Sequence, residues 1–356
     1  MAVNKPSRRT SEFHGILLVD KPAGITSHDV VDRVRRIFAT RRVGHTGTLD
    51  PQATGLLVLL LGEATKISEF LIGHDKSYEG SVRFGVVSDT YDAEGKISPG
   101  PGGPIPGDLE ALQEAISELT GEIDQTPPVY SAKKVGGKKL YEYARQGMEV
   151  PEIKARRISV TDFEILTLEN GEGEFGVDCS SGTYVRSLVH DLGQKLGCGA
   201  ILTELNRTDV GPFHLESAWL IENLEKLGSK SKLRAALIPI RTALQSQMPT
   251  LYLAPGAEQW LRNGQAISHN MVHTEDDQRP SRGTRVLLSR LNGDAVAIAR
   301  VDPAPASPPP KAMGAGGSPW YQPLKQFEIT APAEDEDDEL PVADLSPGDD
   351  AEDDQP

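Results

Sequence analysis

Two cysteines in 356 residues, Cys179 and Cys198, are too few for a disulfide framework and lack metal-ligand spacing. Each reads as a small buried hydrophobe in a reducing compartment. No apolar run approaches the ~18 residues of a membrane span. The opening MAVNKPSRRTSEFHG has no apolar core of a secretory signal, so a cytoplasmic protein is expected. There is no HExxH and no Cys/His cluster, so no metal site is indicated. No Lys-Ser or Lys-Thr follows a glycine loop, which removes phosphate-loop chemistry. Serine and cysteine nucleophiles lack a recognisable setting. Basic residues are missing altogether from 334–356, which hold 12 of the 52 acids. Without that segment 40 acids face 37 bases, so the net charge of −15 misdescribes the body of the chain. The acidic tail has almost nothing to bury and is expected to stay unfolded.

The remaining pattern is that of a soluble α+β protein. GILLVDKPAG (15–24) reads as a strand and turn. SHDVVDRVRRIFA (27–39) follows as a helix with Ser27 as N-cap. LLVLLLG is a short apolar run suited to a central strand. EATKISEFLIG (63–73) is helical and KSYEGSVRFGVV (76–87) alternates as a strand. Residues 96–108 form a Pro/Gly loop, and 108–121 an amphipathic helix closed by Gly121. Strands at 156–170 and 174–182, a helix at 183–197, a strand at 200–213 and a helix near 216–227 complete a first domain. After a linker near 240–250, residues 250–267 and 284–302 read as strands of a small barrel or sandwich, with Asn292-Gly293 as a hairpin turn. Residues 303–319 are low in complexity and expected to be disordered, and 320–329 return as a last strand.

Within this frame GHTGTLDPQATG (44–55) stands out. Proline biases Asp50 toward extended or turn geometry, and the glycines permit tight turns and close approach by another molecule. Such an aspartate either bonds its own backbone or presents a carboxylate at the lip of a buried element. Residues 133–157 add eight Lys/Arg against three Glu, interleaved with Tyr141 and Tyr143, a pattern suited to a phosphate-bearing partner.

GHTGTLDPQATGLLVLLLGEATK resembles the catalytic signature of the TruB family of pseudouridine synthases, which modify uridine 55 in the T-loop of transfer RNA. LLVDKPAGITSHDVV, KSYEGSVRFG, PPVYSAKKVGGKKLYEYARQG, CSSGTYVRSLVHDLG and LGCGAILTELNRT resemble further family blocks, in the family's order. The resemblance implies a flexible 1–13, a mixed-sheet catalytic domain over 14–240 with an RNA-binding thumb at about 127–157, and a PUA-like small RNA-binding barrel over 250–330. The insert at 303–319 and the tail at 331–356 have no counterpart. It also implies roles: Asp50 the essential aspartate, Tyr78 the ring that stacks on the target base, Arg186 the partner of the catalytic carboxylate. His45 corresponds to the histidine that reorganises the T-loop, Tyr184 and Leu205 to the uracil pocket, and Lys21 to the lysine of the DKP turn.

The implied reaction breaks the N1–C1′ bond, turns the base over and rejoins it through C5, so no cofactor or nucleotide is required. Asp50 attacks C1′ or C6, or promotes loss of the ribose 2′ proton; the residues alone leave these open. Flipping a base costs a few kcal/mol, which contacts elsewhere on the RNA must offset. The expected partner is the T-arm of tRNA, bound by a monomer away from any membrane. Rival readings are a tRNA-folding chaperone and a guide-RNA-dependent synthase of ribosomal RNA. The acidic tail is expected to compete with RNA for the basic thumb.

Overall fold

Thr54–Leu61 is a strand with every residue from Gly55 onward buried, because both of its faces are covered. Leu56, Val58 and Leu60 pack toward residues of a C-terminal sheet, among them Leu287, Ile298 and Phe327. Leu57, Leu59 and Leu61 pack with Val30, Val31 and Val34 of the Ser27–Ile37 helix. A strand buried on two faces reads as an unbroken apolar run, as this one does. In this computed structural model the described residues are 11–131, 134–140, 143, 146, 148–274, 279–302 and 320–328. Most of the expected flexible N-terminus, parts of the thumb including Tyr141, the 303–319 insert and the acidic tail lie outside them.

The strand is central to a ten-stranded mixed sheet. In spatial order come Trp219–Leu220, Gly15–Lys21, Thr54–Leu61, Ala200–Val210, Lys76–Phe84, Glu172–Cys179, Arg156–Glu169 and Gly121–Gln125, with Val43–His45 and Phe213–His214 paired at the side. Most neighbours are antiparallel. Thr54–Leu61 meets Ala200–Val210 in parallel, through the pairs Asn206 with Thr54 and Arg207 with Gly55 alone. The two strands therefore touch only at this end, beside the loop that carries Asp50. The Val185–Lys195 helix covers the far half of the sheet through Val185, Leu188, Val189 and Leu192.

A second, six-stranded barrel-like sheet runs Ile267–Ser268, Trp320–Gln326, Ala295–Asp302, Arg285–Ser289, Thr250–Leu253 and Val272–His273. Val286 and Leu288 face its own core while Leu287 faces the large sheet, the two-residue alternation of a strand. Among the described residues no helix is long and apolar enough to cross a membrane.

Several elements depart from the sequence reading. Residues 250–267 are not one strand: Pro255 and Gly256, the latter at φ 83°, end Thr250–Leu253, and a helix follows over Ala257–Arg262. Ala257 and Leu261, one turn apart, are its buried face. The helix expected at 108–121 shrinks to a 3-10 turn at Glu110–Leu112 and Gln113–Ser117, and Gly121, at φ 90°, opens an edge strand. The Pro/Gly stretch contains Ile97–Pro99, which pairs with Val86–Ser88 as a small hairpin. Thr26, not Ser27, caps the first helix: its Oγ1 accepts from the Asp29 amide while its own amide donates to Asp29 Oδ2, which closes a capping box. Ser27 is thereby free for another partner.

Candidate active site

The loop between Val43–His45 and Thr54–Leu61 is held from beneath by buried side chains. Ser27 Oγ takes the Leu49 amide at 2.9 Å and donates to the Leu49 carbonyl at 3.1 Å. Lys21, wholly buried, donates from Nζ to the carbonyls of Pro22, Ile25 and Pro51 at 2.9, 2.7 and 2.9 Å. Arg207, also buried, reaches both legs of the loop, with Nε to Leu56 O at 2.7 Å and Nη2 to Gly47 O at 3.1 Å. Carbonyl oxygens thus solvate two buried cations, which would otherwise be costly to desolvate. Burial, offset in part by Asp50, brings the Lys21 ammonium down to about 8.

Asp50 emerges from this support beside a cleft of about 1060 Å³, whose lining includes Ala53, Thr54, Leu205, Asn206 and Asp92. The buried Arg186 grips its carboxylate at two points, Nε to Oδ2 at 3.1 Å and Nη2 to Oδ1 at 3.4 Å. Enclosure by protein raises the Asp50 pKa, Arg186 pulls it back, Asp92 raises it and Lys21 lowers it. The side chain is nonetheless 47% exposed. Water reaches it along the cleft while protein surrounds its other sides, so the burial acts incompletely and Arg186 holds the ionised form.

A hairpin arm closes the other side of Arg186. Between Val86–Ser88 and Ile97–Pro99, the 89–96 loop brings Thr90 O to 3.3 Å and Asp92 Oδ2 to 3.8 Å from Arg186 Nη1. Arg186 therefore sits between two carboxylates, Asp50 and Asp92, both of which line the cleft.

The sequence-predicted residues do not all converge. Asp50 and Leu205 line the cleft, and the buried Arg186 is joined to it through Asp50. Tyr78 is 8% exposed, opposite Arg207 in the sheet, and shares an apolar cluster with Leu49 and Ala53. Its hydroxyl pKa is raised by burial and lowered by Arg207. His45 stands on the rising leg of the loop, paired with Leu59, and its buried Nδ1 has no hydrogen-bond partner among the described residues. Burial, then His28 and Arg207, lowers its pKa, so the ring is neutral at pH 7. Tyr184 precedes the Val185–Lys195 helix, its backbone N–H bonded to Gln125 Oε1 at 2.8 Å and its carbonyl to Gln125 Nε2 at 3.0 Å. Lys21 lies under the loop and has no place in the cleft lining. In the segment expected to form a thumb, Tyr143 donates its hydroxyl to Val135 O at 3.0 Å and braces the Lys134–Val135 and Lys138–Lys139 hairpin.

Three contributors escaped the sequence reading: Ser27 as a loop brace, Arg207, and Asp92. SDTYDAEG does carry a turn-rich acidic signal, but nothing local places it against Arg186, 94 residues later.

Comparison with known proteins places this geometry. The TruB family pseudouridylate synthase N-terminal domain matches residues 35–185, and the tRNA pseudouridylate synthase B C-terminal domain matches 186–245. The tRNA pseudouridine synthase B of Syntrophotalea carbinolica is 42% identical over 295 residues, 83% of this chain and 94% of that protein. That of Aromatoleum aromaticum is 48% identical over 239 residues, 67% of this chain and 76% of its own. A structure of an H/ACA RNP bound to a substrate RNA containing 2′-deoxyuridine shares the fold, with a TM-score of 0.62 at 24% identity over 91% of this chain and 87% of that one. A Cbf5-Nop10-Gar1 complex gives 0.61 at 25% identity over 90% and 87%. Fold and site define a pseudouridine synthase, an isomerase. The chain belongs to the TruB family.

Proposed function

We propose that the protein converts uridine 55 in the T-loop of tRNA to pseudouridine without a cofactor, with Asp50 as nucleophile. The observation that carries this reading is the Asp50 carboxylate, held at two points by Arg186 beside an open cleft large enough for an extruded base. The ion pair keeps the nucleophile charged, and the three supports beneath the loop keep it aimed.

Attack by Asp50 on the ribose or the ring leads to breakage of the N1–C1′ bond, which frees the base from C1′ of the ribose. The base turns within the cleft, C5 bonds to C1′ as the bond to Asp50 breaks, the C5 proton leaves to an acceptor, and N1 takes up a proton. Leu205 forms one wall. Tyr78 supplies a ring face to the flipped base, and at 8% exposure it requires RNA binding to uncover that face. His45, being neutral, enters the T-loop by stacking and shape. Tyr184 contributes from the start of the Arg186 helix, and Lys21 acts through the loop it supports. The basic thumb contacts the T-stem phosphates. The 42% and 48% identity to proteins named tRNA pseudouridine synthase B supports the tRNA reading over the ribosomal one.

The test is tritium release from a T-arm hairpin carrying 5-tritiated uridine, with and without Asp50→Asn. Release from wild type, abolished in the variant while RNA binding persists, is expected. Loss of binding along with release would make Asp50 structural, and tight binding with no release by wild type would favour the chaperone.

A further inference from the structure

Arg186 and His190 stand one turn apart on the Val185–Lys195 helix, so their side chains leave the same face. Both meet the 89–96 loop. Arg186 takes the Thr90 carbonyl and Asp92, while the His190 ring stacks on Tyr91 with centroids 3.8 Å apart and planes 13° from parallel. Tyr91 holds a left-handed backbone at φ 68°, a conformation that bulky side chains rarely adopt. Strain of that kind persists only where the surroundings over-determine it. Here the surroundings are identifiable. The Leu202 amide donates to Tyr91 O at 3.1 Å, the Ala93 amide donates to Leu202 O at 2.9 Å, and the imidazole covers the ring. His190 Nδ1 is buried without a hydrogen-bond partner among the described residues, so the histidine engages the loop by its face.

We propose that Tyr91 and His190 form a latch that fixes the 89–96 loop to the helix and so sets Arg186 and Asp92 around Asp50. The proposal rests on the isomerase reading of the site. Neither ring lines the cleft, so both are positioning residues. Without the stack, the strained tyrosine lets the loop relax, Thr90 O and Asp92 leave Arg186, and the guanidinium loses the anchors that hold it in line with Asp50. A misplacement of about 1 Å at a reacting group can slow chemistry ~100-fold.

The test uses the full chain, the tritiated T-arm hairpin under single turnover, RNA affinity and thermal unfolding. Tyr91→Ala and His190→Ala are each expected to slow release by about tenfold or more, with affinity within ~2-fold of wild type. Tyr91→Phe and His190→Phe, which keep a ring face, should recover to within ~3-fold of wild type. The double alanine variant should be no slower than the slower single one, because the two side chains act through one contact. The latch is overturned if the alanine variants stay within ~3-fold of wild type, if His190→Phe is as slow as His190→Ala, or if the two losses multiply. It is equally overturned if the rate falls only in step with affinity and melting temperature. Failure of the wild type to release tritium would, by contrast, remove the isomerase reading itself, and release by Asp50→Asn would remove Asp50 as its nucleophile, whichever way the latch variants behave.

Discussion

Asp50 has neighbours that pull its proton affinity in opposite directions, and the balance is open to measurement. Enclosure raises its pKa first, Arg186 lowers it, Asp92 raises it and Lys21 lowers it. A nucleophilic carboxylate works only when ionised. The single-turnover rate should therefore fall as pH drops through the raised value, at higher pH than for an ordinary aspartate near 3.8. Replacing Asp92 with Asn removes a like charge, so the acid limb should move to lower pH. The plateau should also drop, since Arg186 loses a partner 3.8 Å away. Arg186→Gln should move the limb the other way. An acid limb that ignores both substitutions would show that the titrating group is not Asp50. At this scale the sequence was informative for residues whose surroundings are local. The turn chemistry of Gly-Thr-Leu-Asp-Pro singles out Asp50 but leaves open whether it bonds its own backbone or presents its carboxylate, and the catalytic role came from the family resemblance. Arg186 and Leu205 were reached only through family resemblance, and Asp92 and Arg207 not at all. Their roles come from strands and loops far apart in the chain, so no spacing rule could expose them.

Elements tell a similar story. The apolar run at 54–61 and the periodic helices at 27–37 and 185–195 were legible, because each buries a continuous stripe or two whole faces. The short pieces were not. Gly121–Gln125 buries only Gln125 fully and Ile123 partly, too little for a pattern, and Ala257–Arg262 is hidden behind a Pro-Gly turn within a strand-like stretch. The junction between Thr54–Leu61 and Ala200–Val210 is the element the site depends on most. Gly55 there has φ 96°, and a Cβ on it would stand 2.4 Å from Arg207 O and 2.7 Å from Arg207 N. Those are backbone atoms of the paired strand and cannot swing aside. Gly55→Ala should destabilise the protein by roughly 3 kcal/mol or more, through both strain and clash. Because Arg207 also grips Gly47 O and Leu56 O, residual activity should fall further than stability alone accounts for. Urea unfolding alongside single-turnover kinetics measures both. A loss below about 1 kcal/mol would mean that the two strands separate easily at this point.

At the scale of the whole molecule, the catalytic sheet and the barrel-like sheet share a buried carboxylate. Glu63 pairs with Arg42 and Lys66, accepts the Glu328 amide at 2.9 Å, and Lys66 in turn donates to Gln326 O at 2.7 Å. Apolar contact from Leu287, Ile298 and Phe327 to Ile16, Leu18 and Leu56 closes the same seam. Burial pushes the Glu63 carboxyl up, but the Lys66 and Glu328 hydrogen bonds and the Arg42 charge prevail and leave it below its ordinary 4.5. A carboxyl depressed on folding adds stability that is complete above the unfolded value and disappears as pH falls through the folded one. Glu63→Gln keeps the shape and loses the charge. It should cost about 1–3 kcal/mol at pH 7, and the gap from wild type should narrow as pH drops below 4.5. Arg42 and Lys66 are partly exposed and regain water when the carboxylate is gone, which keeps the loss below that of a fully buried pair. Paired melts at neutral and acid pH decide the matter. A gap that stays constant across pH would mean that packing, and not charge, joins the two sheets. The barrel-like sheet would then hold its place against the large sheet through apolar contacts such as those of Leu287, Ile298 and Phe327.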